Sequence, residues 1–159
     1  MAKKRVYVET SVISDLTARP AKKPIPRLRQ LITADWWERR SPWDYFLTAT
    51  VIAEISRGDP KAAALRQERA RSFLELPVTP EVEALAGLLL AKKLVPLESL
   101  TDAYHLAGAA FHRADYLLTW NQKHLDNLEL RSRIEEFIKE KGFKPAKVLT
   151  PARLLEETP

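Results

Sequence analysis

Strands alternating with helices along the chain predict an α/β protein with a mainly parallel sheet covered by helices on both faces. Two observations carry this. Val6-Tyr7-Val8, β-branched and aromatic, leads directly into a helical pattern, and the same strand-then-helix order recurs as far as Lys147-Val148-Leu149 and the short helix after it. At 159 residues the length fits one domain, able to bury roughly 70% of the surface its unfolded chain exposes.

The first strand ends at Glu9-Thr10-Ser11, whose hydroxyls suit a helix start ahead of Val12, Ile13 and Leu16. Residues 19–29 contain three prolines and five cations, which predicts a flexible basic connection. A helix then carries Leu28, Leu31, Ile32, Trp36 and Trp37 until Ser41-Pro42. Tyr45 to Thr48 reads as a second strand, and Val51, Ile52 and Ile55 recur at helical spacing up to Gly58-Asp59-Pro60. Pro60 opens a helix expected to reach about Leu74, and Pro77-Val78-Thr79 reads as a minimal third strand. An alanine- and leucine-rich helix follows from Pro80 to Lys93. Ser99 and Asp102 match a capping box, with Asp in place of the usual Glu or Gln, ahead of an apolar helix through Ala103, Leu106, Ala107 and Ala110. Tyr116 to Thr119 is the next strand. A basic amphipathic helix from Leu128 to Lys141, closed by Gly142, precedes Lys147-Val148-Leu149 and a last helix from Pro151 to Leu155.

Composition narrows the chemistry. There is no Cys, which removes thiolate catalysis, disulfides and Cys-based zinc sites and suits a reducing cytoplasm. The basic start Met1-Ala2-Lys3-Lys4-Arg5 is followed by an apolar stretch that Glu9 interrupts, so it reads as mature protein rather than a signal peptide. The longest apolar run, Ala84 to Ala91, has eight residues, against roughly 20 needed to span a bilayer. A soluble cytoplasmic protein with no membrane partner is expected. The net charge of +5 permits a polyanionic partner without requiring one.

Where the acids sit is more informative. In parallel sheets of this kind, ligands bind beyond the carboxyl ends of the strands. Glu9 and Thr119-Trp120-Asn121 fall at such ends, while Glu54 and Asp102 lie on helices. Each has an ordinary structural explanation alone: a solvated strand end for Glu9, a favourable helix N-terminus for Asp102, a turn for Asn121. Glu54, between Ala53 and Ile55 in an otherwise apolar helix, is costly unless paired or bound to metal. If the strands ending at Glu9 and Thr119 are neighbours, three carboxylates and an amide converge. Such a group repels itself when uncompensated and forms a site for a hard divalent cation, Mg2+ or Mn2+. That ion lowers the pKa of a bound water and polarises a phosphoryl oxygen, the chemistry of phosphodiester hydrolysis.

The segments Val6 to Ser14, Thr50 to Ile55 around Glu54, Thr101 to Ala107 around Asp102, and Tyr116 to Asn121 together resemble the PIN-domain family, especially VapC-like toxins. The resemblance covers nearly the whole chain as a single PIN-like domain, 1–159. It implies a five-stranded parallel sheet between helices, Mg2+- or Mn2+-dependent cleavage of RNA, a homodimer, and a cognate antitoxin of a type II toxin–antitoxin pair. By that match Glu9, Glu54 and Asp102 are metal ligands, Asn121 occupies the fourth catalytic position, and Thr10, Ser11 and Thr119 support them. Two departures stand out. The first position is commonly Asp, so Glu9 adds a methylene; the fourth is often Asp, so neutral Asn121 disfavours a second ion.

His105 shares a helix face with Asp102 and can line the cleft, although imidazole is softer than this ion prefers. His124 follows Asn121 by three residues and could touch substrate or cap a turn. Trp36, Trp37 and Trp43 suit a core or a dimer contact, while Trp120, beside Asn121, is the candidate for base stacking. Lys22, Lys23, Arg27 and Arg29 could reach a polyanion, and Arg57, one turn beyond Glu54, could hold a phosphate or pair with a carboxylate. Two other readings stay open: a non-catalytic RNA-binding or protein-interaction module on the same fold, and a receiver-like signalling domain. The latter lacks a phosphoacceptor Asp at the strand end Thr48-Ala49-Thr50.

Overall fold

The computed structural model describes residues 2–121 and 127–159. Five parallel strands form one sheet: β1 (Arg5–Val8), β2 (Asp44–Thr48), β3 (Leu74–Leu76), β4 (Tyr116–Leu118) and β5 (Lys147–Leu149), in the order β3-β2-β1-β4-β5. Successive side chains of a strand point to opposite faces. Val6, Tyr7 and Val8 of the central strand are all 0% exposed, so both faces are covered, as expected. The described helices are α1 (Thr10–Thr17), α2 (Pro24–Glu38), α3 (Ala49–Ile55), α4 (Pro60–Ala70), α5 (Pro80–Ala91), α6 (Leu100–Phe111), α7 (Leu128–Glu140) and α8 (Pro151–Glu156).

Several helices begin the same way. Asp59, Thr79 and Thr150 each accept a backbone N–H of the first turn on their side chains, and each is followed by a proline at the first helical position, where the missing N–H would have no intrahelical partner. The same property corrects the reading of 19–29. Pro24 and Pro26 fall in the first turn of α2, where they cost little, so residues 24–29 are helical rather than part of a connection. The buried face of α2 is built from Thr33 and Trp36, while Leu28 and Leu31 stand out from the surface.

Two further expectations change. The third strand is Leu74–Leu76, paired with Phe46 to Thr48, and not Pro77-Val78-Thr79; α4 correspondingly ends at Ala70. Pro77 has no N–H for a ladder, and the strand ends in front of it. Ser99 occupies the position before α6 but makes no side-chain capping bond, because Leu97–Ser99 form a 3-10 turn that enters the helix directly. Asp102 sits in the first turn of α6 as expected.

The strand order positions the site. From β1 the chain winds outward through β2 to β3, then returns to the other side of β1 as β4 and continues to β5. The reversal falls between β1 and β4, the switch point where helices leave in opposite directions and open a crevice beyond the strand ends. Val8 is in register with Leu118, and the Glu9 N–H donates to the Leu118 carbonyl at 3.0 Å. Glu9 and Thr119 therefore emerge side by side.

Candidate active site

Glu9 leaves β1 into the crevice but remains buried. Burying a carboxylate is costly unless donors surround it, and two hydroxyls do so. Thr119 donates to Glu9 Oε1 at 2.6 Å, and Ser11 donates to the same oxygen. Ser11 Oγ in turn accepts the Trp120 N–H, and Thr119 Oγ1 accepts the Asn121 N–H, both at 2.9 Å. The two strand ends are thus laced together through one carboxylate.

Glu54 arrives from the last turn of α3. Its Oε1 accepts Thr10 Oγ1 at 2.6 Å and lies 2.7 Å from His105 Nε2. Burial pushes its carboxyl up, but the hydrogen bonds from His105 and Thr10 hold it below its usual value; the nearby charge of Asp102 works the other way. One donor atom from each of Glu9, Glu54 and His105 lies within 4.8 Å of the others. Asp102 stands outside that tight group. It lines the same pocket as Glu9, His105, Thr119 and Asn121, and both its oxygens lie 3.3 Å from Asn121 Nδ2.

The structure therefore brings Glu9, Glu54, Asp102 and Asn121 to one crevice, with Thr10, Ser11 and Thr119 bonded to the acids. His105 lines that crevice, as its helix face suggested, and is 2% exposed. Lys22, Lys23 and Arg57 are exposed and are not among the residues lining the pocket. His124 lies outside the described residues. Trp36 and Trp37 join Tyr45 and Phe73 in an aromatic cluster, and Trp43 packs edge-on against Tyr116. Trp120 is buried, its indole N–H donating to Thr33 at 2.9 Å and the Arg29 guanidinium 5.6 Å from its ring centre. It is a packing residue rather than a platform for a base.

Three residues near these acids were not singled out from sequence. Tyr7 and Thr48, buried at adjacent strands, hydrogen-bond to each other, and Tyr7 also bonds His105. Asp15 on α1 is half-buried, and burial pushes its carboxyl up, opposed by Arg29 and reinforced by Glu9. A Tyr between two valines reads as core, and an acid on a short helix reads as surface. Carboxylate oxygens steadied by hydroxyl donors are the ligands that a hard divalent cation takes; the His105 imidazole in the same group is the softer donor.

No family model and no curated protein matches the chain. Solved structures do. VapC20 of Mycobacterium tuberculosis, a sarcin-ricin loop cleaving toxin, is 16% identical with a TM-score of 0.60, covering 87% of this chain and 95% of that one. A toxin–antitoxin complex from Klebsiella pneumoniae gives 18% identity and a TM-score of 0.58 over 92% and 97%. VapBC2 of Rickettsia felis, bound to a DNA fragment from its promoter, gives 13% and 0.54 over 92% and 98%. Across nearly its full length, the chain has the VapC-like α/β fold, the PIN-type fold to which its four motifs pointed.

Proposed function

We propose that the chain is a metal-dependent endoribonuclease and the toxin of a type II toxin–antitoxin pair, acting in the cytoplasm as a single-domain homodimer. The observation that carries this is the meeting of Glu9, Glu54 and Asp102, from three distant stretches, at the switch point of the sheet. Their mutual repulsion is relieved by a cation. Glu9, Glu54 and Asp102 would hold Mg2+ or Mn2+, and Asn121, donating to Asp102, would fix that carboxylate.

When bound, such an ion supplies an activated water and a polarised phosphoryl oxygen. The chain's own residues supply the frame. Ser11 and Thr119 keep Glu9 turned into the crevice, and Thr10 and His105 keep Glu54 there. Lys22, Lys23 and Arg57 would add sequence-independent attraction for phosphates, which weakens steeply with salt. The antitoxin partner is supported by the fold neighbours, two of which are toxin–antitoxin complexes.

The test is cleavage of a mixed RNA pool by protein freed of any copurifying antitoxin, with Mg2+, with Mn2+ and with EDTA. Cutting that needs the cation and fails in Asp102→Asn and Glu54→Gln is expected. RNA binding without cutting, indifferent to EDTA, would leave a non-catalytic module instead.

A further inference from the structure

Behind Glu54 runs a line of buried polar groups, of which the proposed chemistry uses only the first, His105. His105 Nε2 faces Glu54 Oε1 at 2.7 Å, His105 Nδ1 faces the Tyr7 hydroxyl at 2.7 Å, and that hydroxyl faces Thr48 Oγ1 at 2.9 Å. His105 is 2% exposed, Tyr7 0% and Thr48 1%. Water does not reach these atoms, so each depends on the next for its hydrogen bond.

The direction of the line follows from its end. Glu54 Oε1 also accepts Thr10, and as an ionised carboxylate it can only accept. The His105 nitrogen facing it must therefore carry a hydrogen. In a neutral ring that leaves Nδ1 as an acceptor, so the Tyr7 O–H donates to it and the Tyr7 oxygen accepts from Thr48. Burial pushes the Tyr7 phenol well up, consistent with its keeping the proton it donates.

We infer that Thr48, Tyr7 and His105 form a positioning chain that delivers one N–H to Glu54, fixing its carboxylate and keeping His105 from being a metal ligand. An Nε2 that carries hydrogen has no lone pair for a cation. The three residues come from β2, β1 and α6, and the approach of α6 is set by Gly108: a Cβ there would stand 3.3 Å from Thr48 Cγ2 and 3.5 Å from Tyr7 Cε2. His105, one turn earlier on the same face, is thereby brought within reach of the Tyr7 oxygen.

The catalytic consequence rests on the nuclease reading; the direction of the hydrogen bonds does not. Long-range proton–nitrogen NMR of the metal-free protein at about pH 8, where an ordinary imidazole is neutral, reads the tautomer directly, with His105→Gln assigning the signals. Protonated Nε2 and bare Nδ1 are expected. The Nδ1–H form overturns the inference and makes His105 available as a ligand.

In RNA cleavage, Tyr7→Phe removes only the oxygen and keeps the ring against Phe46 and His105. A loss of about 10-fold in kcat with KM unchanged is expected, the lower end of what such supporting groups contribute. His105→Gln retains an N–H for Glu54 and should stay more active than His105→Leu. Tyr7→Phe cutting at the wild-type rate, or Gln and Leu variants equally impaired in proportion to their melting temperatures, would overturn the positioning role. A wild type that never cuts RNA defeats the nuclease reading alone, and the tautomer still decides the chain.

Discussion

Thr119→Val isolates the hydroxyl that joins the two strand ends. Valine has nearly the shape of threonine, so the 1% exposed site stays filled. What disappears is a donor to the Glu9 carboxylate at 2.6 Å and an acceptor for the Asn121 N–H at 2.9 Å. A hydrogen bond to a charged group contributes about 1.5–3 kcal/mol. The Asn121 amide, only partly buried, recovers some of its loss from water. A net destabilisation of about 2–3 kcal/mol follows, which for a domain of this size lowers Tm by about 4–12 °C. The assay is urea and thermal unfolding in EDTA, so that cation binding does not mask the change. Ser11 shares the same Glu9 oxygen, so Ser11→Ala and Thr119→Val should not add: the double variant should lose at least about 0.5 kcal/mol more than the singles together. A Thr119→Val loss within about 0.5 kcal/mol of zero, the range of an ordinary surface change, would refute the claim that Glu9 is held by this hydroxyl.

Mg2+ or Mn2+ at millimolar concentration should raise the wild-type Tm by mass action on the folded state and leave that of Glu9→Gln or Asp102→Asn nearly unmoved; thermal scans with and without EDTA measure it, and equal shifts in all three would place the bound ion elsewhere. At the opposite end of the sheet, Asp115 accepts the Arg5 N–H at 2.8 Å and pairs with Lys144. Burial pushes its carboxyl up, but Lys144 and the Arg5 amide more than offset this and hold it below its ordinary 3.8. A depressed folded pKa stabilises above the unfolded value and is lost as pH falls through the folded one. Asp115→Asn should therefore be less stable than wild type at neutral pH, by a modest amount because Lys144 is solvent-exposed, and the gap in urea midpoints should close below pH 3.8; a constant gap would remove the charge from the explanation.

The parts of this fold that were legible in the sequence are those where local pattern and burial agree. Val6-Tyr7-Val8 is a short apolar run because the central parallel strand is covered on both faces. The Asp-Pro and Thr-Pro starts of α4, α5 and α8 are legible because cap and proline act locally. β3 was misplaced by three residues because it is an edge strand with Leu74 at 60% exposure and no alternation to mark it. Of the three acids only Glu54, set in an apolar helix, asked for a partner by itself; Glu9 and Asp102 have ordinary explanations alone and became candidates only as a set, through the order of motifs that resembles the family. The line through Tyr7, Thr48 and His105 was not, since it depends on α6 lying against β1 and β2 at Gly108. Nothing within six residues of Tyr7 announces that contact.

The two positions where this chain departs from the PIN pattern become mutually consistent in the geometry. An acid one methylene longer than Asp reaches deeper into the crevice and needs anchoring to hold a direction. Here Oε1 of Glu9 is claimed by Ser11 and Thr119, while Oε2 is the oxygen nearer His105, at 3.9 Å. Across the pocket, a fourth carboxylate would add a negative charge facing Asp102, whereas the Asn121 amide places Nδ2 at 3.3 Å from both Asp102 oxygens. The amide thus lowers the repulsion that the metal-free site must bear. On the proposed reading Glu9, Glu54 and Asp102 would hold the cation, and the exchange of a fourth carboxylate for a donor at Asn121 disfavours a second one, because it leaves one negative charge fewer to compensate.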